Sequence, residues 1–401
     1  MIGNIIQWSL KFRLFVLVGA LLLLGWGFYA AMRSPVDVFP ELTAPRVTVV
    51  TEAHDMAPRE VERLVTYPVE TALNGSAGVR RIRSSTGVGI SVVTVAFEWG
   101  TDIYRARQVV SEKLQGVREA LPPEAGQPTL APVTSVMGEV MFLAVTGEAE
   151  PMALRTAADW TVRRRLLAVP GVAQVIPIGG DIKQYQVRVR PERLAAHDVG
   201  LNAVVEAVGE TNRNVSAGFT VDSGRELLIH GLGRVSDPAD IGNTVVTERA
   251  GHPVRVRDLA EVTVGAAPVR GTGARNGEDA VVLGVQKQPG VNTLALTERL
   301  DAEIEALRTD LPEGVTLRTD LFRQADFIHT AVDNLLEALR DGAILVVAVV
   351  LLFLVSLRAG LVSLVAIPLS LVAAVLALRG MGGTLNTMTL GGLAIAIGAV
   401  V

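Results

Sequence analysis

The chain has 401 residues, room for two or three domains, and 49% of them are hydrophobic. Its mean hydropathy of +0.39 is high for a wholly soluble protein and calls for lipid-facing surface. A net charge of −4, with no basic cluster interleaved with aromatics, excludes nucleic acid as an expected partner, and the absence of cysteine excludes disulfides, thiolate metal sites and thiol redox chemistry.

The first element in the chain is a membrane helix. Leu14 to Met32 carries no charge and runs about 19 residues, close to the roughly 20 that a spanning helix needs. A cleaved signal peptide is the rival reading, but its apolar region is shorter and ends at a small-residue cleavage site, whereas here Arg33, Pro35, Asp37 and Pro40 follow directly. Lys11 and Arg13 precede the span, so the positive-inside tendency places the N-terminus in the cytoplasm and the next block outside it.

That block contains an internal repeat. An offset of about 93 residues carries Gly78 to Gly171 and Gly87 to Gly180, each after a helical stretch, 58–73 in the first copy and 153–168 in the second. Beyond them the offset becomes about 190, carrying Gly100 to Gly290 and Pro122 to Pro312, so about 97 residues interrupt the second copy between Gly180 and Ala280. Period-2 runs such as Arg46 to Val50 and Ile90 to Phe97 alternate with helical stretches such as Ile103 to Ala120. The order strand, helix, strand, strand, helix, strand is that of a ferredoxin-like split βαβ unit. The insertion has strands of its own at Tyr185 to Arg190 and His252 to Val264, a helix over Ala203 to Val208, and a stretch with Gly218, Asp222 and Gly224 that predicts an extended hairpin.

Apolar segments return after Asp341. Gly342 to Leu357 and Gly360 to Leu378 are two further spans separated by Arg358 in a turn too short for a cytoplasmic domain, and a third begins at Leu385 and is still apolar at Val401. The last segment reads as a helix that continues past the sequence.

The strings DVFPELTAPRVTV (37–49), MAPREVERLVTYPVETALNG (56–75), SSTGVGISVVTVAFEWGTDIYRARQ (84–108), PVTSVMGEVM (132–141), VPGVAQVIPIGG (169–180) and NTMTLGGLAIAIGAVV (386–401), in this layout, resemble the N-terminal portion of an RND efflux transporter of the heavy-metal, CzcA/CusA-like branch. The fold class expected is an α+β membrane protein: transmembrane α-helices plus a periplasmic porter domain of two ferredoxin-like split βαβ repeats, the second interrupted by a docking subdomain. The resemblance divides the chain into a cytoplasmic start and first transmembrane helix (1–33), porter repeat 1 (34–134), the first half of porter repeat 2 (135–180), a docking-type insert (181–279) and the second half of repeat 2 (280–324). An amphipathic lead-in and second helix (325–357), a third helix (358–379) and the start of a fourth (385–401) complete it. It implies a proton-driven antiporter of the bacterial inner membrane, multi-pass, with its large domain periplasmic. Its partners would be membrane lipid, two further copies in a homotrimer, a periplasmic adaptor protein and an outer-membrane channel. Members are about twice as long or more, with a second half repeating the first.

No catalytic residue, cofactor site or nucleotide site is expected. The glycines of GTGARNG (271–277) lack the P-loop lysine and read as a turn. No Asp, Glu, His, Lys or Arg lies within the expected spans, and the resemblance puts the proton-relay acids just beyond Val401, so these residues alone are expected not to pump. For a transported metal cation, Glu139 is the first candidate, at the start of the second repeat where zinc-type relatives place an entrance carboxylate; its bland reading is a solvated strand-end glutamate. Near VPGVA, where relatives can carry an acid, this chain has Gln174, which argues against a divalent site there. Met388 aligns with a methionine of copper-type relatives at the start of the fourth helix, with helix packing or lipid contact as the alternative. Met137 and Met141 share a strand face, where thioether ligation competes with core packing, and the histidines 54, 197, 230, 252 and 329 show no ligand spacing and read as surface. The rival functions are a drug-type RND exporter of the same fold and a membrane-anchored periplasmic binding or sensor protein, which needs a cytoplasmic output module that the turn at Arg358 does not accommodate.

Overall fold

In the computed structural model, which describes residues 2–32, 36–37, 44–134, 138–249, 251–269, 271–354, 357–381, 383 and 385–400, the period-2 segments form strands. Ile90–Phe97 buries every second side chain, from Ser91 to Phe97. It lies between Val79–Gly87 and Arg46–Glu52, with Thr129–Leu130 at the far edge and every pairing antiparallel. The spatial order is therefore second, third, first, fourth. A second sheet built from Glu139–Thr146, Val172–Ile178, Val281–Lys287 and Thr316–Arg323 has the same order. Both orders are those of a split βαβ unit.

Each sheet is covered by helices whose apolar residues recur at helical spacing. Ile103–Val117 buries Ala106, Val110, Leu114 and Val117, and Thr293–Asp310 buries Leu296, Leu300, Ile304 and Leu307. Both helices start at a side-chain cap, Asp102 accepting from the Arg105 N–H at 2.8 Å and Asn292 from the Ala295 N–H at 2.9 Å. The other helix of each unit departs from the simple pattern: a π turn interrupts it at Glu62–Thr66 in the first copy and at Ala157–Val162 in the second. One extra residue in a turn barely disturbs a short apolar period, so the sequence reads through it. In the first unit the π turn seats Thr66 Oγ1 2.7 Å from Ser91 Oγ and 3.0 Å from Thr86 Oγ1, satisfying buried hydroxyls between helix and sheet.

Between Val172–Ile178 and Val281–Lys287 the insertion forms its own small core of Val199, Val204, Val254 and Leu259. Lys183–Val189 pairs with Ala260–Ala266, and helices Pro191–His197 and Leu201–Thr211 follow the first of these strands. The single strand expected over His252 to Val264 is instead strand His252–Arg255, helical turn Val256–Leu259 and strand Ala260–Ala266. The break comes from Asp258, whose carboxylate accepts the Arg255 N–H at 2.8 Å and so starts a helical turn inside an alternating pattern. Val215–Asp222 and Arg225–Gly231 make the expected hairpin, whose ends and turn, Val215, Asp222, Ser223 and Gly231 among them, are exposed.

Where the insertion leaves and re-enters the sheet the backbones touch. Gly179 has φ +83°, and a Cβ there would collide with the Gly273 nitrogen and lie 2.8 Å from the Ala280 carbonyl oxygen. The Ala280 N–H donates to the Gly273 carbonyl at 2.9 Å, closing the neck.

The first long apolar helix is Arg13–Met32, preceded by Ile2–Lys11. Among the described residues, Arg13–Ala30 is long and apolar enough to cross a membrane by length and composition, and Pro368–Gly380 is a shorter apolar stretch. The second helix begins as Gln324–Leu354 and the third is Leu357–Gly380, so Arg358 lies in a first helical turn and the link at 355–356 falls outside the described residues. Arg13–Met32 packs on Leu357–Gly380 where a Cβ on Gly27 would collide with Val372, burying Ala30 and Val375. Such close approach at a small residue is how apolar helices associate without a hydrophobic difference between protein and lipid. Two-residue strands Val36–Asp37 and Leu385–Asn386 pair in parallel and join the exit of the first helix to the entry of helix Thr387–Val400.

Candidate functional site

Glu139 opens the first strand of the second sheet and is exposed. Register places it opposite Gln286, and Gln286 in turn opposite Gln174 on the edge strand. The second-copy strand Val281–Lys287 turns Val281, Leu283 and Val285 to the helices, so Gln286 alternates onto the other face. One carboxylate and two carboxamides thus share a row across three strands. All of their oxygens are ligands of the kind that harder divalent cations prefer. On the strand beyond Glu139, Arg323 is held by Asp301 at 2.8 and 2.7 Å, a paired hydrogen bond that raises the guanidinium pKa and directs its charge to Asp301. From sequence Glu139 stands out alone, Gln174 counts against a divalent site, and nothing local marks Gln286. The 190-residue repeat offset aligns the strand that carries it, and that offset is the signal that could have found it.

The other candidates lie apart from this row. Met388 sits in the first turn of Thr387–Val400 and is 58% exposed. That turn is capped reciprocally: Asn386 Oδ1 accepts the Thr389 N–H at 2.9 Å and Thr389 Oγ1 accepts the Asn386 N–H at 2.8 Å. Met141 is fully buried in the second core among Val140, Leu143 and the facing helices, so core packing accounts for it. Met137 lies outside the described residues. The five histidines are exposed, and among the described residues no three His, Asp or Glu side chains gather in a metal-binding group. The GTGARNG stretch contains a short hairpin, Ala274–Arg275 paired with Glu278–Asp279, with Asn276 and Gly277 at positive φ in its turn.

The AcrB/AcrD/AcrF family matches residues 5–401. Protein HelA of Legionella pneumophila is 36% identical over 401 residues, covering 98% of this chain and 38% of that protein. The cobalt-zinc-cadmium resistance protein CzcA of Cupriavidus metallidurans is 33% identical, and the cation efflux system protein CusA of Escherichia coli is 34% identical, each covering 100% of this chain and 39% of the relative. A crystal structure of a heavy metal efflux pump superposes with a TM-score of 0.88 at 28% identity, covering 97% of this chain and 39% of that one. The chain therefore spans well under half the length of the relatives it matches. With nearly every residue matched, and with relatives named for cation and heavy-metal efflux in both sequence and fold, the chain belongs to the AcrB/AcrD/AcrF family, the RND efflux transporters, in its heavy-metal branch.

Proposed function

We propose that this chain acts within an inner-membrane permease that exports heavy-metal cations towards an outer-membrane channel by antiport with protons. Similarity to cation efflux proteins along 100% of the chain carries this reading. The two split βαβ units serve as periplasmic porter repeats and the insertion as a docking subdomain in a trimer. Support for the docking role comes from Phe219, Val221 and Leu228, which hairpin Val215–Gly231 holds out to solvent at 62%, 64% and 63% exposure. Apolar side chains so exposed need a partner surface. The chain crosses the membrane several times, with residues 34–330 outside the cytoplasm; a cysteine introduced at Ser223 in a full-length transporter is then blocked by membrane-impermeant reagents applied from the periplasmic side.

Glu139 is the oxygen ligand of a weak entrance site for a divalent cation, and Gln286 and Gln174 offer neutral oxygens beside it. Met388 contributes a thioether at the start of the last helix, on the membrane side of the path. The expected spans hold no Asp, Glu, His, Lys or Arg, so the proton relay is formed by groups outside them. Cells relying on a full-length transporter with Glu139→Ala should lose Zn²⁺ tolerance at matched expression. Unchanged tolerance would remove Glu139 from the pathway.

A further inference from the structure

The helical stretch Pro151–Leu167 carries two adjoining hollows whose charged and apolar linings the transport reading does not use, the first of them sharing only Gln174 with the row that contains Glu139. One, of about 760 Å³, runs along edge strand Val172–Ile178 and is lined by Arg155, Arg163, Arg164 and Lys183 with Asp159. The other, of about 610 Å³, lies between the same helix, Val264 and the 312–315 loop, and is mostly apolar, with Met152, Ala153 and Ala157 on its wall. Trp160 and Lys183 border both. Either volume falls within the roughly 300–1,000 Å³ of small-molecule sites.

The charges are unbalanced in the first hollow. Its single carboxylate, Asp159, is occupied by Arg155 at 2.8 Å, and Arg155 also donates to the Gly179 carbonyl at 2.6 Å. Among the described residues no ion pair joins Arg163, Arg164 or Lys183 to an acid. Arg163 Nε donates to the Val175 carbonyl at 3.0 Å, the Arg164 guanidinium lies 4.1 Å over the Trp160 ring, and the Lys183 ammonium is 5.8 Å from the Tyr185 ring. The π turn Ala157–Val162 presents Trp160 at 62% exposure on the ridge between the hollows. Glu150 and Glu313 line the apolar hollow and not the cationic one, so they repel an anionic head from it and set its direction.

We propose that the two hollows form one site for a single-chain anionic amphiphile such as a long-chain alkyl carboxylate, its chain in the apolar hollow and its head among Arg163, Arg164 and Lys183. A free metal cation is repelled by the same three charges, and a neutral amphiphile leaves them without a counter-ion. The Lys183 stem suits the boundary, lining apolar surface while its ammonium reaches the head.

The test uses the whole chain in lipid nanodiscs, with binding read by equilibrium dialysis and by Trp160 emission. The probes are octanoate, decanoate and dodecanoate, with dodecanol for tail without charge and citrate for charge without tail. Affinity should rise with chain length by up to about fourfold per methylene, the fold-change equivalent of about 0.8 kcal/mol. Arg164→Gln with Lys183→Gln, both on the surface, should weaken dodecanoate at least tenfold and leave dodecanol unchanged. Ala153→Phe, which fills the apolar hollow, should weaken dodecanoate similarly, and Trp160→Phe should remove the emission change. Equal dodecanoate binding by the parent and the Arg164/Lys183 double variant would mean partition into the bilayer alone and would overturn the site. Citrate binding as tightly as dodecanoate, or tighter binding of an acidic amphipathic peptide, would overturn the amphiphile assignment.

Discussion

The two split βαβ units share a topology and differ in how they fill it. The 190-residue offset maps each buried position of helix Ile103–Val117 onto one of Thr293–Asp310: Ala106 onto Leu296, Val110 onto Leu300, Leu114 onto Ile304 and Val117 onto Leu307. Three of the four become larger, and the second core is the larger cluster. On the facing strand polarity moves from one end to the other. Ser91 and Phe97 of the first unit correspond to Val281 and Lys287 of the second, and all four are buried. The first unit satisfies its polar end through Thr66 at 2.7 Å; the second does so through Lys287, whose ammonium donates to Thr293 Oγ1 at 2.8 Å and to the Val291 carbonyl at 3.1 Å. A duplicated topology thus constrains which positions are inside while leaving their chemistry free, provided each polar group keeps a partner.

The largest effect should come from exchanging that chemistry. Phe97→Lys places an ammonium where Ile103 stands in the position of the acceptor Thr293, and should destabilise the first unit by more than about 4 kcal/mol. Lys287→Met removes both the ammonium and the need to satisfy it, and should change stability by less than about 1.5 kcal/mol. Denaturant unfolding followed by tryptophan emission reads both variants. A mild Phe97→Lys would mean that the first unit can rearrange to solvate that end, breaking the contrast.

The comparison is sharpened by a pair of leucines. Leu73 and Leu166, related by the 93-residue offset, are both fully buried on the helix that carries the π turn. Truncation to alanine should cost about 2–5 kcal/mol at either site. If the units unfold separately, Leu73→Ala should shift only the transition that carries Trp99, and Leu166→Ala only the one that carries Trp160. A common shift of both probes would show that the two cores unfold as one.

The repeat was legible in the sequence because its punctuation is local: glycine pairs and the alternation in Ile90–Phe97 both sit within a few residues of what they control. The apolar helix at 14–32 was legible because the absence of charge is a property of composition. What the sequence hid depends on pairing across distance. Gln286 meets Glu139 only after the insertion is bridged, and the cationic hollow needs Lys183, from the first strand of the insertion, beside Arg163 of the repeat. The π turns and the helical break at Val256–Leu259 hid for another reason, since one added residue or one capping carboxylate outweighs a short pattern.

A two-residue turn, Val88-Gly89, joins the second and third strands of the first unit, whereas the second unit makes the same connection through the whole insertion. The neck should therefore tolerate less. Gly179→Ala adds a Cβ against backbone at a φ of +83° and should cost about 2–3 kcal/mol. Gly89→Ala, at φ +66° and 3.3 Å from the Ala53 carbonyl oxygen, should cost about 1 kcal/mol. Limited proteolysis reads the neck directly, and Gly179→Ala should expose cleavage near 271–279. Equal costs at the two turns would mean that the crossing at Gly273 gives way freely.

The smallest effect belongs to a tie that the first unit has no need of. Arg275, in the returning limb of the insertion, forms a two-point ion pair with Asp320 on the edge strand Thr316–Arg323, one arm of it at 3.0 Å through Nε. The Arg275 hydrogen bonds hold the Asp320 carboxyl below its usual value, outweighing the partial burial that acts the other way. A carboxyl lowered on folding contributes stability that is fully present above its unfolded pKa, about 3.9, and is lost as pH falls through the lower folded value. Both side chains remain partly exposed, so the contribution is small and screened by salt. Asp320→Asn should therefore loosen the 274–279 hairpin slightly at neutral pH, seen as faster hydrogen exchange there. The difference from the parent should hold from pH 7 to about pH 5, shrink below the ordinary carboxylate range and vanish once the parent's Asp320 is itself protonated. A difference that persists unchanged into that acid range would mean that the asparagine acts through packing, and that the neck is closed by its glycines without help from this charge.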